Sequence, residues 1–464
     1  MTHDISRATL SRIDKLLMDQ RATRPDESRQ RRQQQGLEVV VGHDVKNSSA
    51  LQLALLTAVN LGAKCFGGHV AVFAPADVWL SKCAAPIAMG ASLGDAVVLL
   101  GGTPIAGSPA TVKRRHLVLG DAQAAEGAIR MTFDGWRVAA GPAEDLPRMN
   151  ERAYCPLASI AAAALAVSEV FSEFAGLRIT AARQVVTLSL WRPDLALDRA
   201  ETLGEPINEL PAAIGIFGLG HLGQAYLWAL AALPYSARGK VALHLCDDDT
   251  VEPVNVETGA LLTPSAVTHL KTRVVAQWLE ARGFQTRLLE RRIDGNFRRH
   301  ENEPVLALSG FDDNRARQWL AASAFTEILD SGLGGEAANF DTIAYRAWPN
   351  PRQASDLWPI ESDDERVMRE ARRRRMIETN PAYQEMETDE CGRLQIAGVA
   401  VAVPFVGAVS ACVVLAEMLK RTNGGPSFSE LKVRLCTLGV SRPVGLIAEA
   451  ISAPIRGLAT QPSS

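Results

Sequence analysis

Apolar positions along the chain fall into short β-branched runs separated by longer stretches of helical spacing. LEVVV, HVAVFAP, AVVLLGG and HLVLG read as strands, and SSALQLALLTAVNLGA between the first two reads as a helix. A second series, AIGIFG, KVALHLCD, PVLALSG, EILDSG, TIAYRAW and LKVRLCTL, starts at Ala213. Strands alternating with helices predict parallel sheets, so the fold class is α/β. The boundaries give a charged N-terminal arm at 1–36, a first α/β domain at 37–175, a connector at 176–212, a second domain at 213–442 and a fraying tail at 443–464. The arm is expected to be a helix followed by a mobile linker. Within the second domain, residues 350–395 lose apolar periodicity and gain charge (ESDDERVMREARRRRMIE), so this segment is expected to be mobile. Two α/β domains of similar size also fit a diverged duplication.

The stretch from Ile396 to Leu419 carries one charge, Glu417, and is long enough to span a membrane. Gly398, Pro404 and Gly407 break it, so a strand or loop followed by a buried helix is the expectation. Hydrophobic content of 47% is ample for packed cores, and a net charge of −3 gives no basic footprint for nucleic acid. The N-terminus is polar and rich in Arg and Gln, unlike a secretory leader. The 7 cysteines are scattered with no CxxC pair, which argues against a Cys-only zinc site and fits a reducing, cytoplasmic setting.

The most informative stretch is IGIFGLGHLG, Ile214 to Gly223, an apolar strand running into G-x-G-x-x-G at Gly218, Gly220 and Gly223. Such glycines give a tight turn, close backbone approach to phosphate and close helix–strand packing. The first strand of the N-terminal domain leads instead into GHDVKNSS, without the glycine triplet, so that domain is expected to serve packing or partner contacts. After the loop, a second strand ends at Asp247, Asp248 and Asp249. An acid there accepts from ribose hydroxyls, which alone fits a NAD-dependent oxidoreductase. Asn255, Lys271 and the turn SGFDDNRAR, with Asp312 and Asp313, then follow. Taken singly, Lys271 is equally a solvated side chain and Asp312 a helix cap.

As a set, these residues resemble the ThiF/ubiquitin-activating superfamily, whose members adenylate the C-terminal carboxylates of ubiquitin-fold proteins. Asp247, Asp249, Val251, Asn255, Lys271 and Asp312 follow its motif order, and VAVPFVGAVSACVVLAEMLK resembles its C-terminal helix entry. The resemblance covers about Ala213 to Lys420. It implies two Rossmann-like adenylation-type domains, the N-terminal one inactive. It also implies that Gly218, Gly220 and Gly223 cradle ATP, Asp247 binds ribose, Lys271 and Asn255 contact phosphates with Lys271 catalytic, and Asp312 holds Mg²⁺. Cations are needed because a carboxylate attacking a phosphate brings anions together. One departure stands out. Where the family has N-L-x-R-Q, this chain has N-V-E-T-G, with Thr258 at the Arg position. Thr carries no charge. Arg7, Arg12 and Arg21 in the arm are candidate substitutes, and a nucleotide-binding scaffold without turnover is the reading that Thr258 supports.

Members that go on to form a thioester need a cysteine on a mobile segment. Cys391, in TDECGRLQIAG, fits that need, whereas Cys246, Cys412 and Cys436 lie in strand or helix patterns. Sulfur-carrier relatives often hold zinc through two CxxC pairs, which are missing here. The chain therefore resembles activating enzymes of bacterial ubiquitin-like conjugation operons, which act in antiphage defence. That resemblance implies a ubiquitin-like protein and a conjugating enzyme as partners, no nucleic acid or membrane, and a monomer with both domains or a homodimer.

Overall fold

The computed structural model describes residues 10–87, 90–109, 115–447 and 457–459. The first sheet is built from β1 (Leu37–Val41), β2 (Val70–Ala74), β3 (Gly102–Ala106), β4 (His116–Leu119), β5 (Ile129–Asp134), β6 (Arg137–Pro142) and β7 (Val186–Ser189), in the order β3-β2-β1-β4-β5-β6-β7. Its members pair in parallel from β3 to β5 and antiparallel from there to β7. A short strand, β8 (Glu209–Pro211), follows. The second sheet uses β9 (Ala213–Phe217), β10 (Ala242–Cys246), β11 (Gln285–Leu289), β12 (Leu306–Ser309), β13 (Glu327–Leu333), β14 (Thr342–Trp348), β15 (Phe428–Arg434) and β16 (Val444–Ile447). Its order is β11-β10-β9-β12-β13-β14-β15-β16, parallel from β11 to β13 and antiparallel beyond. With β1 set on β9, the two orders match strand for strand through β7 and β15. This shared topology agrees with a duplication. A last strand, β17 (Gly457–Ala459), pairs with β8.

Two expected boundaries change, and so does the second half of the arm. The connector supplies β7, so the first domain runs to Ser189 rather than ending at 175. The tail supplies β16, so the second sheet passes residue 442. Each of these strands has four residues, too few to carry a periodic signal. The second half of the arm is a helix, Pro25–Gln35, with Pro at its first turn and Ser28 and Arg32 buried. It joins the helix Arg12–Arg21, capped by the Ser11 side chain.

The central strand β12 is buried along its whole length, as expected for a parallel strand covered on both faces. Four helices lie between the sheets: Ser49–Cys65, Pro156–Phe174, His221–Ala231 and Pro404–Thr422. All are apolar nearly all round, the signature of a helix enclosed by protein. Phe171 meets Phe405 with ring centroids 5.6 Å apart, and the Trp228 indole donates to Thr57 Oγ1 at 3.3 Å. One continuous core therefore runs through both domains. The 396–419 stretch resolves as expected, with a loop followed by the buried helix Pro404–Thr422. Among the described residues, Pro156–Phe174 is long and apolar enough to cross a membrane, but it is mostly buried in the protein.

Candidate functional site

The second domain gathers its chemistry where the strand order reverses, at the carboxyl ends of β9, β10 and β12, the place where open α/β sheets bind ligands. The three glycines after β9 have separable duties. Gly218 has φ +82°, a left-handed conformation that glycine adopts without strain. A Cβ at Gly223 would fall 2.0 Å from the Gly218 carbonyl oxygen, so its helix packs as close as backbone allows. A Cβ at Gly220 would meet nothing within 4 Å, which leaves open space above the loop. The loop after β12 closes against it, since a Cβ at Gly218 would lie 3.1 Å from the Gly310 backbone.

Asp247, just past β10, fixes the loop from the other side. Its carboxylate accepts from the Leu219 N–H at 2.6 Å and the Asp249 N–H at 2.8 Å. Burial pushes its carboxyl up, while nearby Lys271 and the two backbone donors hold it down. Lys271 opens the helix Lys271–Glu280, and its largely buried side chain places Nζ 2.7 Å from Asp249 Oδ2. Asn255 lies on the helix Pro253–Thr258, where its Oδ1 accepts from the Glu252 N–H at 2.9 Å as part of a capping box. Its amide oxygen is thus committed to the fold, and only its NH₂ is left to donate to a ligand. Asp312 is exposed and enters no ion pair among the described residues. The cap of the next helix is its neighbour Asp313, which accepts from the Arg315 N–H at 2.8 Å. The carboxylates of Asp247, Asp248 and Asp249 lie within 4.8 Å of one another, and Asp312 stands outside this cluster.

At the corresponding place in the first domain, polar side chains pair with one another at the surface. Asp77 takes Lys46 Nζ at 3.0 Å and His43 Nε2 at 2.7 Å. Asp44 accepts from the Asp121 N–H at 3.1 Å and pairs with Arg148. A Cβ at Gly42, which follows β1 as Gly218 follows β9, would fall 1.9 Å from Asp121 Oδ1, so the β1 and β4 loops close on each other as the β9 and β12 loops do, and two residues on Asp44 stands at the place of Gly220.

Thr258 is buried, and its carbonyl accepts from His221 Nδ1 at 2.8 Å. Of the cations considered as substitutes for the missing Arg, Arg7 lies outside the described residues. Arg12 begins the arm's first helix, and Arg21 donates to the Ala175 carbonyl at 3.2 Å. An arm cation that reaches this segment is Arg32, paired with Glu257 at 2.9 Å and with Asp14 at 2.9 Å. From the first domain, Lys64 donates to the Val256 carbonyl at 2.8 Å and the Leu262 carbonyl at 3.3 Å. Sequence reasoning missed both, because nothing in an Arg/Gln run or a helical Lys points to a partner in the second domain.

Cys391 is exposed on the helix Glu390–Ala397, whose N-cap Asp389 accepts from the Gly392 N–H. The segment expected to be a mobile stretch is therefore helical, and its long charged helix Asp363–Thr379 starts with a capping box at Ser362. It packs on the arm: the Tyr383 hydroxyl donates to Asp19 at 2.7 Å and Asn380 donates to the Met18 carbonyl at 2.8 Å. The arm thus touches both the Cys391 segment and, through Arg32 and Ser11, the helix that carries Asn255.

The family model described as the BilD N-terminal domain matches residues 36–190, and the BilD C-terminal domain model matches residues 210–425. The bacterial E1-like protein BilD of Collimonas sp. (strain OK412) is 35% identical over 448 residues, covering 94% of each chain. Partial likeness to solved structures includes E. coli MccB (TM-score 0.35, 12% identity, 55% of this chain and 67% of that one). It also includes E. coli tRNA N6-threonylcarbamoyladenosine dehydratase, TcdA (TM-score 0.29, 17% identity, 45% of this chain and 85% of that one). Scores this low carry no argument about the site. The two family models divide the chain close to where its two sheets divide, and with the full-length relative they establish that this chain belongs to the family of bacterial E1-like BilD proteins.

Proposed function

We propose that this chain activates a ubiquitin-like protein, first by ATP-dependent adenylation of its C-terminal carboxylate and then by thioester formation on Cys391. The carrying observation is the open space at Gly220 beside Asp247 and Lys271, at the carboxyl ends of adjacent strands. In the first step, a substrate carboxylate oxygen bonds to the α-phosphorus of ATP, the bond to the β-phosphate bridging oxygen breaks, and pyrophosphate leaves. Asp247, held by two backbone donors, accepts from the ribose. Lys271, now on Asp249, exchanges that partner for phosphate, and the Asn255 NH₂ adds a neutral donor. Placing fixed donors where charge builds is the main source of rate in such transfers.

A Mg²⁺ ion would offset phosphate charge. Asp312, free of ion pairs among the described residues, and the exposed Asp248 offer the carboxylate oxygens that this ion prefers. In the second step, the Cys391 sulfur bonds to the acyl carbon and AMP leaves, giving the thioester that a conjugating enzyme would accept. Asp44, which stands at the place of Gly220, accepts from the Asp121 N–H and pairs with Arg148, which supports an inactive role for the first domain. Membership of an E1-like family favours this reading over a NAD-dependent oxidoreductase. Thr258 favours one other reading, a nucleotide-binding scaffold without turnover, because its buried side chain supplies no charge. The test is ATP–pyrophosphate exchange that depends on a ubiquitin-like protein with a free C-terminus. ATP binding without any exchange would replace the enzyme by the scaffold.

A further inference from the structure

His221 is the first residue of the helix that follows the glycine loop, between Gly220 and Gly223. Its Nδ1 lies 2.8 Å from the Thr258 carbonyl oxygen. A carbonyl can only accept, so Nδ1 carries the proton and Nε2 bears the lone pair. Nε2 is buried and has no hydrogen-bond partner among the described residues. Burial pushes the imidazole pKa down, the Thr258 hydrogen bond opposes this, and Lys64 adds to the downward shift, so the ring is neutral. Room for it comes from Gly407 on the helix Pro404–Thr422, where a Cβ would lie 2.4 Å from Nε2 and 2.7 Å from Cε1.

Thr258 ends the helix that carries Asn255. One neutral N–H therefore joins the first turn of the helix facing the nucleotide to the end of the helix bearing Asn255. Gln224 makes a parallel tie, donating to the Leu219 carbonyl at 2.9 Å and accepting from the Leu261 N–H at 3.2 Å. The His221 tie lands on the residue that stands where a charged Arg was expected.

We propose that His221 is a positioning residue of the nucleotide site, whose Nδ1–H to Thr258 holds the glycine loop and the Asn255 helix in one register. The phosphates then meet donors already in place, a geometric compensation for the cation that Thr258 lacks. The inference rests on the adenylation reading above.

The test compares His221→Asn, His221→Gln and Gly407→Ala. Asn places its amide nitrogen where Nδ1 stands, whereas Gln places it where Nε2 stands. The KM for ATP in pyrophosphate exchange rises about tenfold in His221→Gln, the worth of one hydrogen bond, and stays near wild type in His221→Asn, with kcat little changed in either. Gly407→Ala behaves like His221→Gln on its own. Combined with His221→Asn it has little effect, because Asn lacks the ring atoms that a Cβ at 407 would strike. Amide hydrogen exchange, which needs no nucleotide, speeds up at residues 219–223 and 258–261 in His221→Gln and not in His221→Asn. Equal KM and equal exchange for His221→Gln and His221→Asn in an active chain would overturn this inference alone. Absence of pyrophosphate exchange in the wild-type chain would overturn the adenylation reading and this inference with it.

Discussion

Arg32 and Glu257 form an ion pair at 2.9 Å that joins the N-terminal arm to the end of the helix carrying Asn255. The Arg32 side chain is 3% exposed and also holds Asp14, whose side chain is fully buried. Removing the cation leaves Asp14 with the Ser28 hydroxyl and a more distant Arg29, and Glu257 with the Ser11 hydroxyl, in a poorly solvated place. Arg32→Met should lower unfolding stability by about 3–5 kcal/mol, and adding Glu257→Gln should cost less than the two single changes summed. Urea denaturation of the single and double variants measures both. A loss below about 1 kcal/mol for Arg32→Met would show that the arm is not locked by this pair.

The two later glycines of the loop should separate folding from binding. Gly220→Ala places its methyl in open space at ordinary φ, so stability should stay within about 0.5 kcal/mol while nucleotide affinity falls at least about tenfold. Gly223→Ala drives its methyl into the Gly218 carbonyl and should destabilise by about 1–3 kcal/mol. Thermal unfolding and calorimetric titration with MgATP, run on both variants, check this. Unchanged affinity in Gly220→Ala would place the nucleotide elsewhere.

Lys64 gives a pH signature. Burial brings its ammonium down to about 8, from an ordinary value of about 10.4 in the unfolded chain, with Glu257 pulling the other way. The folded state therefore releases this proton first. Its contribution is fully present above the unfolded value and is lost as pH falls through about 8. Wild-type stability should rise relative to Lys64→Met between about pH 8 and pH 10, measured by denaturant midpoints at each pH. Parallel pH profiles would refute the shift.

The legible parts of this site were those whose chemistry fixes residue type and spacing. Gly218, Gly220, Gly223 and Asp247 gather at the ends of adjacent strands, and Lys271 joins them through Asp249, as the motif order led one to expect. Asn255 was only half legible, since its oxygen caps its own helix. Arg32 was not legible, because its partner lies in the other domain and the run SRQRRQQQ marks no single Arg. The strands β7 and β16 were hidden by their shortness, and the helix bearing Cys391 by charge that spoke for a solvated loop. The repeated sheet order resides in hydrogen-bond pairing, which a linear sequence does not display.

If Cys391 carries the acyl group, Cys391→Ala should retain pyrophosphate exchange and lose the reducible adduct with the ubiquitin-like protein. Gel mobility with and without thiol reads this directly. An adduct that survives the substitution would assign the thioester to one of the other cysteines, all of them buried or half-buried.

The central claim is adenylation at the second domain, and ATP–pyrophosphate exchange tests it most directly. Exchange should require both a ubiquitin-like protein with a free C-terminal carboxylate and Lys271, with Lys271→Ala reducing it by about 10²–10³-fold. Exchange that proceeds without the ubiquitin-like protein, or that survives Lys271→Ala undiminished, would contradict the account.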